Sequence, residues 1–344
     1  RTGVAVNAAN VTTVTGLFAD VQTAYNANTA GTITGLGNED VALTDATVSV
    51  ADINTMNGLT SGVVTATVDS GDYATLSGIT ESGNALTLTV TGGVTVDQYN
   101  NLDAITTGTI VYDIVDTFTV VAAASNAVIN DATTVTANGS GVDNVIDLSV
   151  FTAGNGYNKG ATINGLGGND IIYGSDFADT ITGGLGADTI TGGAGDDSIN
   201  LTESTSSADT VVFAATAVAN GTDTVTGFTA GTDLLNVSAF ETVGALVDGT
   251  GTYTIAAGQV VYLGGQAAGA ADSTAAAITA LNSAGVVTAA TQTNWIVISD
   301  DNSTAIYSAL NIAGNTEYTG ATLTLVATID TAITHAQLAT AIVI

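Results

Sequence analysis

Between residues 165 and 200 aspartate recurs at every ninth position, as Asp170, Asp179, Asp188 and Asp197. They sit in the nonapeptides GLGGNDIIY, GSDFADTIT, GGLGADTIT and GGAGDDSIN. Carboxylates at a fixed spacing can hold a hard cation, share a proton, or work as acid and base in hydrolysis. The neighbouring residues favour the first. Glycines stand where a chain must turn through φ > 0 or let another backbone come close. An isoleucine follows each aspartate by two residues, as a short strand with one inward side chain requires. If six residues turn and three extend, two nonapeptides close one coil, and Asp170 stacks near Asp188 and Asp179 near Asp197. Stacked carboxylates repel one another unless a cation lies between them. Ca²⁺ takes about 6–8 oxygen ligands at roughly 2.3–2.6 Å, which suits turns rich in backbone carbonyls. The expected metal-site residues are Gly165, Gly167, Asp170, Asp176, Asp179, Gly183, Gly184, Gly186, Asp188, Gly192, Gly193, Gly195 and Asp197.

The four nonapeptides resemble the RTX (repeats-in-toxin) calcium-binding family of secreted bacterial proteins, whose G-G-x-G-x-D-x-U-x pattern forms a parallel β-roll. The resemblance implies Ca²⁺ as cofactor, about two to three ions for this array, and export by type I secretion. A metal-free glycine-rich solenoid or a flexible linker is the competing reading. The second repeat departs from the pattern, with Ser175 and Phe177 at glycine positions, so the Asp179 turn is the doubtful one. Upstream, GYNKGATIN (156–164) keeps Ile163 in register but carries Ala161 at the aspartate position, as a capping repeat would. Downstream, LTESTSSADTVVF (201–213) breaks the period and ends on a strand-like segment.

The elements that must position this array are mainly strands. In residues 1–150 a looser repeat sets Met56, Leu59 and Thr60 against Leu76, Ile79 and Thr80, and against Leu102, Ile105 and Thr106. Each trio is followed by glycine and a β-alternating stretch. Spacing of three to four argues a short helical turn and period two a strand. Units this short bury a core only by stacking. A string of small β-sandwiches is the weaker alternative. The expected fold class is all-β in the main. It is a right-handed parallel β-solenoid or β-roll with short helical turns, followed by a β-rich C-terminal domain. The expected domains are 1–150 (strand-plus-helix repeats), 151–213 (calcium roll) and 214–344. One helix is expected at about 272–283, and a hairpin turn, rather than a further cation site, at Asp300-Asp301-Asn302.

Thirty-two acidic residues face only Arg1 and Lys159, for a formal net charge of −30. Such a chain does not bind nucleic acid or an anionic membrane through charge. A hydrophobic content of 45% argues against disorder. Cysteine is absent, which excludes disulfides and zinc-thiolate sites. No apolar run is long enough to span a bilayer, and no amino-terminal signal peptide is visible. The chain opens on Arg1 rather than Met, as a processed chain or a piece of a longer protein would. THAQLATAIVI (334–344) is compatible with an uncleaved carboxy-terminal secretion signal.

No H-E-x-x-H, G-x-S-x-G or P-loop occurs. The lone histidine, His335, has no nucleophile–acid pattern around it, and the lone tryptophan, Trp295, lies in a β-alternating run that suggests core. The expectation is therefore a non-enzymatic, secreted structural protein of the bacterial cell surface or extracellular matrix. It would be a calcium-stabilised subunit of an S-layer or filament whose main partner is itself, with cell-surface polysaccharide a candidate anchor and no membrane insertion. An RTX adhesin or toxin fragment is the first alternative, and the C-terminal part of a secreted hydrolase the second. The apolar segments at Val4–Val14 and Leu338–Ile344 allow head-to-tail pairing between subunits or packing onto their own chain.

Overall fold

The computed structural model describes residues 4–214 and 217–237. Beyond these it describes 244–248, 253–255, 259–263, 273–284, 286–288, 292–300, 302–311, 323–334, 337 and 342–343. The chain forms two compact units, Arg1–Asp116 with Ala127–Val135, and Thr117–Asn126 with Thr136–Ile344. In the second unit Thr136–Ser140 pairs in parallel with Thr162–Leu166, which joins this segment to the aspartate repeats.

In the first unit a coil is a short helix, a threonine turn and a strand. Local chemistry starts three of these helices. Ser49 accepts from the Asp52 N–H while the Asp52 side chain reaches back, opening Val50–Asn57. Asp72 caps Tyr73–Leu76, and Thr95 with Gln98 repeats the reciprocal cap for Val96–Asp103. The threonine turn then ties one coil to the previous one. Thr60 Oγ1 donates to the Glu39 carbonyl at 2.6 Å, and Thr106 Oγ1 lies 2.9 Å from the Leu86 carbonyl. The strands Thr13–Gly16, Asp40–Leu43, Val64–Thr67, Ala85–Val94 and Ile110–Thr117 stack in parallel in that order. Their inward residues Val41, Val64, Leu86 and Ile114 meet Met56, Leu76 and Leu102 from the helices, all fully buried. Glu39 is also buried and accepts from the Tyr25 hydroxyl and the Gly37 N–H. Burial pushes its carboxyl up, but these donors outweigh it and leave the pKa below the usual range.

The second unit carries two parallel stacks. One runs Val135–Ser140, Thr162–Leu166, Thr180–Thr182, Ser198–Asn200 and Asp223–Thr226. The other runs Val145–Asp147, Ile171–Tyr173, Thr189–Thr191, Thr210–Val212 and Leu234–Asn236. At matched register one side chain of each strand points inward, so Ile163, Ile181, Ile199 and Val225 form one buried column and Ile146, Ile172, Ile190 and Val211 another. Both stacks therefore run on past residue 213, one through Asp223–Thr226 and the other through Leu234–Asn236.

Further along, Gln292–Ser299 and Thr304–Asn311 form an antiparallel hairpin. Its turn is held by Asp300 Oδ1, which accepts from the Asn302 and Ser303 N–H groups at 3.0 Å each. The helix Thr274–Ala284, with Ser273 Oγ accepting from Ala276 N, buries Ala277 and Leu281 against Ile296, Ile298 and Tyr307. Leu323–Ile329 pairs antiparallel with this hairpin and parallel with Asp223–Thr226. Ile342–Val343 pairs with Leu235–Asn236, and Val6–Asn7 with Ile33–Thr34. Val6–Asn7 and Ile342–Val343 thus each pair with a strand of their own chain, one of the two arrangements that the sequence allows. Trp295 lies on the hairpin strand opposite Ser308, and His335 lies outside the described residues. Among the described residues no helix is long and apolar enough to cross a membrane.

Candidate metal centre: two aspartate ladders

Each aspartate of the array sits at the end of a turn, directly before a three-residue strand. Parallel stacking then places it over its counterpart one coil away. The backbone N–H of Asn144 donates to Asp170 Oδ1 at 2.7 Å, that of Asp170 to Asp188 Oδ1 at 2.8 Å, and that of Asp188 to Asp209 Oδ1 at 2.9 Å. Asp209 continues the series to Asp233 at 3.1 Å. On the opposite edge Ala161 N donates to Asp179 Oδ1 at 2.6 Å, Asp179 N to Asp197 Oδ1 at 2.8 Å, and Asp197 N to Asp223 Oδ1 at 3.1 Å. All seven aspartates are buried. One oxygen of each is thus used to hold the coils together.

The second oxygen decides whether a cation fits. Oδ2 of Asp170, of Asp188 and of Asp197 is buried with no hydrogen-bond partner. An unpaired buried carboxylate oxygen costs several kcal/mol, on the order expected for desolvating a charge without compensation. Each of these oxygens lies against the first glycine of its own turn. A Cβ on Gly165 would stand 2.5 Å from Asp170 Oδ2, one on Gly183 2.5 Å from Asp188 Oδ2, and one on Gly192 would press on Asp197 Oδ2. Glycine therefore keeps open the space that the oxygen faces. Burial is the first cause of raised carboxyl pKa values along both ladders, to about 6 at Asp188, about 7 at Asp209 and Asp223, and about 8 at Asp197. Neighbouring aspartates add to the shift at Asp188, Asp197 and Asp209. No group of three or more His, Cys, Asp or Glu side chains is gathered among the described residues. An ion here would complete its shell with backbone oxygens, which suits calcium and disfavours zinc.

Residues 164–199 match the family described as the RTX calcium-binding nonapeptide repeat, in four copies. This segment is a set of RTX repeats. RTX repeats bind calcium, and they mark an extracellular type of protein that is typically exported by type I secretion. The RTX match covers about a tenth of the chain, and the search of curated proteins found no match.

Of the residues expected to form the metal site, Asp170, Asp179, Asp188 and Asp197 lie in the ladders. The glycines Gly165, Gly183 and Gly192 line the carboxylates, and Gly184, Gly186, Gly193 and Gly195 take the positive φ that the RTX turns need. Gly167 bridges to Leu185 of the next coil. Asp176 is exposed and stands outside the ladders. Three ladder members escaped the sequence reading, namely Asp209, Asp223 and Asp233. Their turns are longer, so the ladder steps are 21, 26 and 24 residues instead of 18. The signal was present, since each opens a strand with an apolar residue two positions on: Asp209-Thr-Val, Asp223-Thr-Val and Asp233-Leu-Leu.

Proposed function

We propose that this protein is a non-enzymatic, calcium-stabilised subunit of a bacterial surface layer or extracellular filament that assembles with copies of itself. The observation that carries this reading is the pair of buried aspartate ladders. They make the stacking of strands itself depend on a bound cation, so calcium serves as a structural element. The first unit supports the same reading, because its polar side chains are spent on helix caps and coil-to-coil hydrogen bonds. A net charge of −30 makes assembly conditional as well, since like-charged bodies repel until divalent cations screen or bridge them. Secretion would use the type I route, and cell-surface polysaccharide is the candidate anchor. The test is negative-stain imaging and light scattering of the purified chain in calcium and in EGTA. Sheets or fibres that form with calcium and dissolve in EGTA are expected. A monomer at every calcium level would overturn the structural-subunit reading.

A further inference from the structure

The second RTX repeat departs from the others in sequence, and the structure sets its turn apart from the other three. In those three the residue four positions before the ladder aspartate is left-handed: Leu166 (φ 76°) before Asp170, Gly184 (φ 113°) before Asp188, and Gly193 (φ 108°) before Asp197. These are the same three aspartates whose Oδ2 has no partner. Leu166 adopts this conformation although it is not glycine, at a cost of roughly 1–2 kcal/mol.

The fourth turn is built differently. Neither Ser175 nor Phe177 is left-handed among the described positive-φ residues. Ser175 N donates to Asp179 Oδ2 at 2.6 Å, and Ser175 Oγ lies 2.9 Å from Oδ2 and 3.1 Å from Oδ1. The same hydroxyl accepts from Phe177 N at 3.1 Å. With Ala161 N on Oδ1, both oxygens of Asp179 are satisfied by the chain itself. The arrangement has a counterpart one coil upstream on the other edge. There Ser140, again four residues earlier, donates through its N–H (2.7 Å) and Oγ (2.9 Å) to Asn144 Oδ1. At that position the ladder residue is a neutral amide, which carries no charge for a cation to balance.

We propose that the turn 174–179 is sealed by Ser175 in place of calcium, so that Asp170, Asp188 and Asp197 face calcium and Asp179 does not. Ser175 and Phe177 then set the number of ions the RTX segment takes, and the Asp179 turn is formed before any calcium arrives. This inference rests on the calcium chemistry of the RTX segment and is independent of assembly.

The experiment counts bound Ca²⁺ per full-length chain, by equilibrium dialysis and titration calorimetry, in four proteins. Relative to the wild type, Asp188→Asn should lose at least one ion and Asp179→Asn should lose none. The double variant Ser175→Gly/Phe177→Gly should gain one. Loss of an ion in Asp179→Asn to the same extent as in Asp188→Asn would overturn the proposal. If Asp179→Asn fails to fold by circular dichroism, the double variant decides, and an unchanged ion count there overturns it. An Asp188→Asn protein that keeps every ion would show instead that the ladders do not organise calcium, a failure separate from that of the serine seal.

Discussion

A single carboxylate illustrates the bargain on which the RTX segment is built. Asp197 contributes one oxygen to the Asp179 N–H, and the other is buried without a partner. Burial raises its pKa to about 8, and Asp209 and Asp223 rise to about 7. In the metal-free unfolded chain these groups titrate near the ordinary aspartate value of about 3.9. Between the two values the folded state binds more protons than the unfolded state, so stability falls as pH rises. The calcium-free protein is therefore expected to melt at a higher temperature at pH 5 than at pH 8. Saturating calcium should reverse that order, because the ion competes with the protons, and thermal melts in EGTA and in calcium at both pH values check it. Position matters as much as charge. Asp170→Ala and Asp188→Ala should each weaken calcium binding by about tenfold or more and lower the melting temperature in calcium. Asp176→Ala, exposed and outside the ladders, and Asp248→Ala, in the strand Gly244–Asp248, should change affinity by less than about twofold. Calorimetric titration of the variants distinguishes these outcomes.

Turns and strands account for what could be read in advance. The isoleucine columns were legible because a three-residue strand admits only one inward side chain, and Ile163, Ile181 and Ile199 fall in a strict register. The helical turns at Met56, Leu76 and Leu102 were legible because apolar residues recur there at a spacing of three to four. The extension of the ladders to Asp209, Asp223 and Asp233 was not. A solenoid preserves the height of a coil while letting its turns grow, so a reading keyed to a fixed period loses the trail once the turns lengthen. The pairing of Ile342–Val343 with Leu235–Asn236 was hidden for a related reason, since nothing in either segment names its distant partner. At the level of the turn, Gly183→Ala should destabilise the fold and blunt the effect of calcium. Its Cβ would stand 2.5 Å from Asp188 Oδ2, inside the space that the carboxylate faces. The expected result is a melting temperature below wild type in EGTA and a reduced increase on adding calcium.

Across the second unit, the ladders imply that folding and calcium binding are one equilibrium. A ligand that binds only the folded state stabilises it by mass action. Circular dichroism should therefore show a gain of β-structure when Ca²⁺ is added to the EGTA-treated chain. Mg²⁺ should give a smaller gain at equal concentration, because it demands a tight octahedral shell that turns built of backbone carbonyls do not supply. An identical spectrum and melting temperature in EGTA and in calcium would contradict this.

The far end of the roll is closed by segments that lie late in the chain. Gly227 N donates to Asp330 Oδ2, and Thr331 Oγ1 to the Phe228 carbonyl, each across 103 residues. Within the repeats, by contrast, ladder partners are 18 residues apart. Loop-closure entropy grows with the logarithm of loop length, to about 4 kcal/mol for the longer contact and about 2.5 kcal/mol for the shorter. Distant contacts also slow folding more than near ones. After a calcium jump the signal from strand formation should arrive in two phases, with the repeats first and the terminal strand afterwards. A chain truncated before Leu323 should keep the fast phase and lose the slow one in stopped-flow circular dichroism. Time, in such a protein, runs along the solenoid: calcium starts the clock at the repeats, and residues 323–343 stop it.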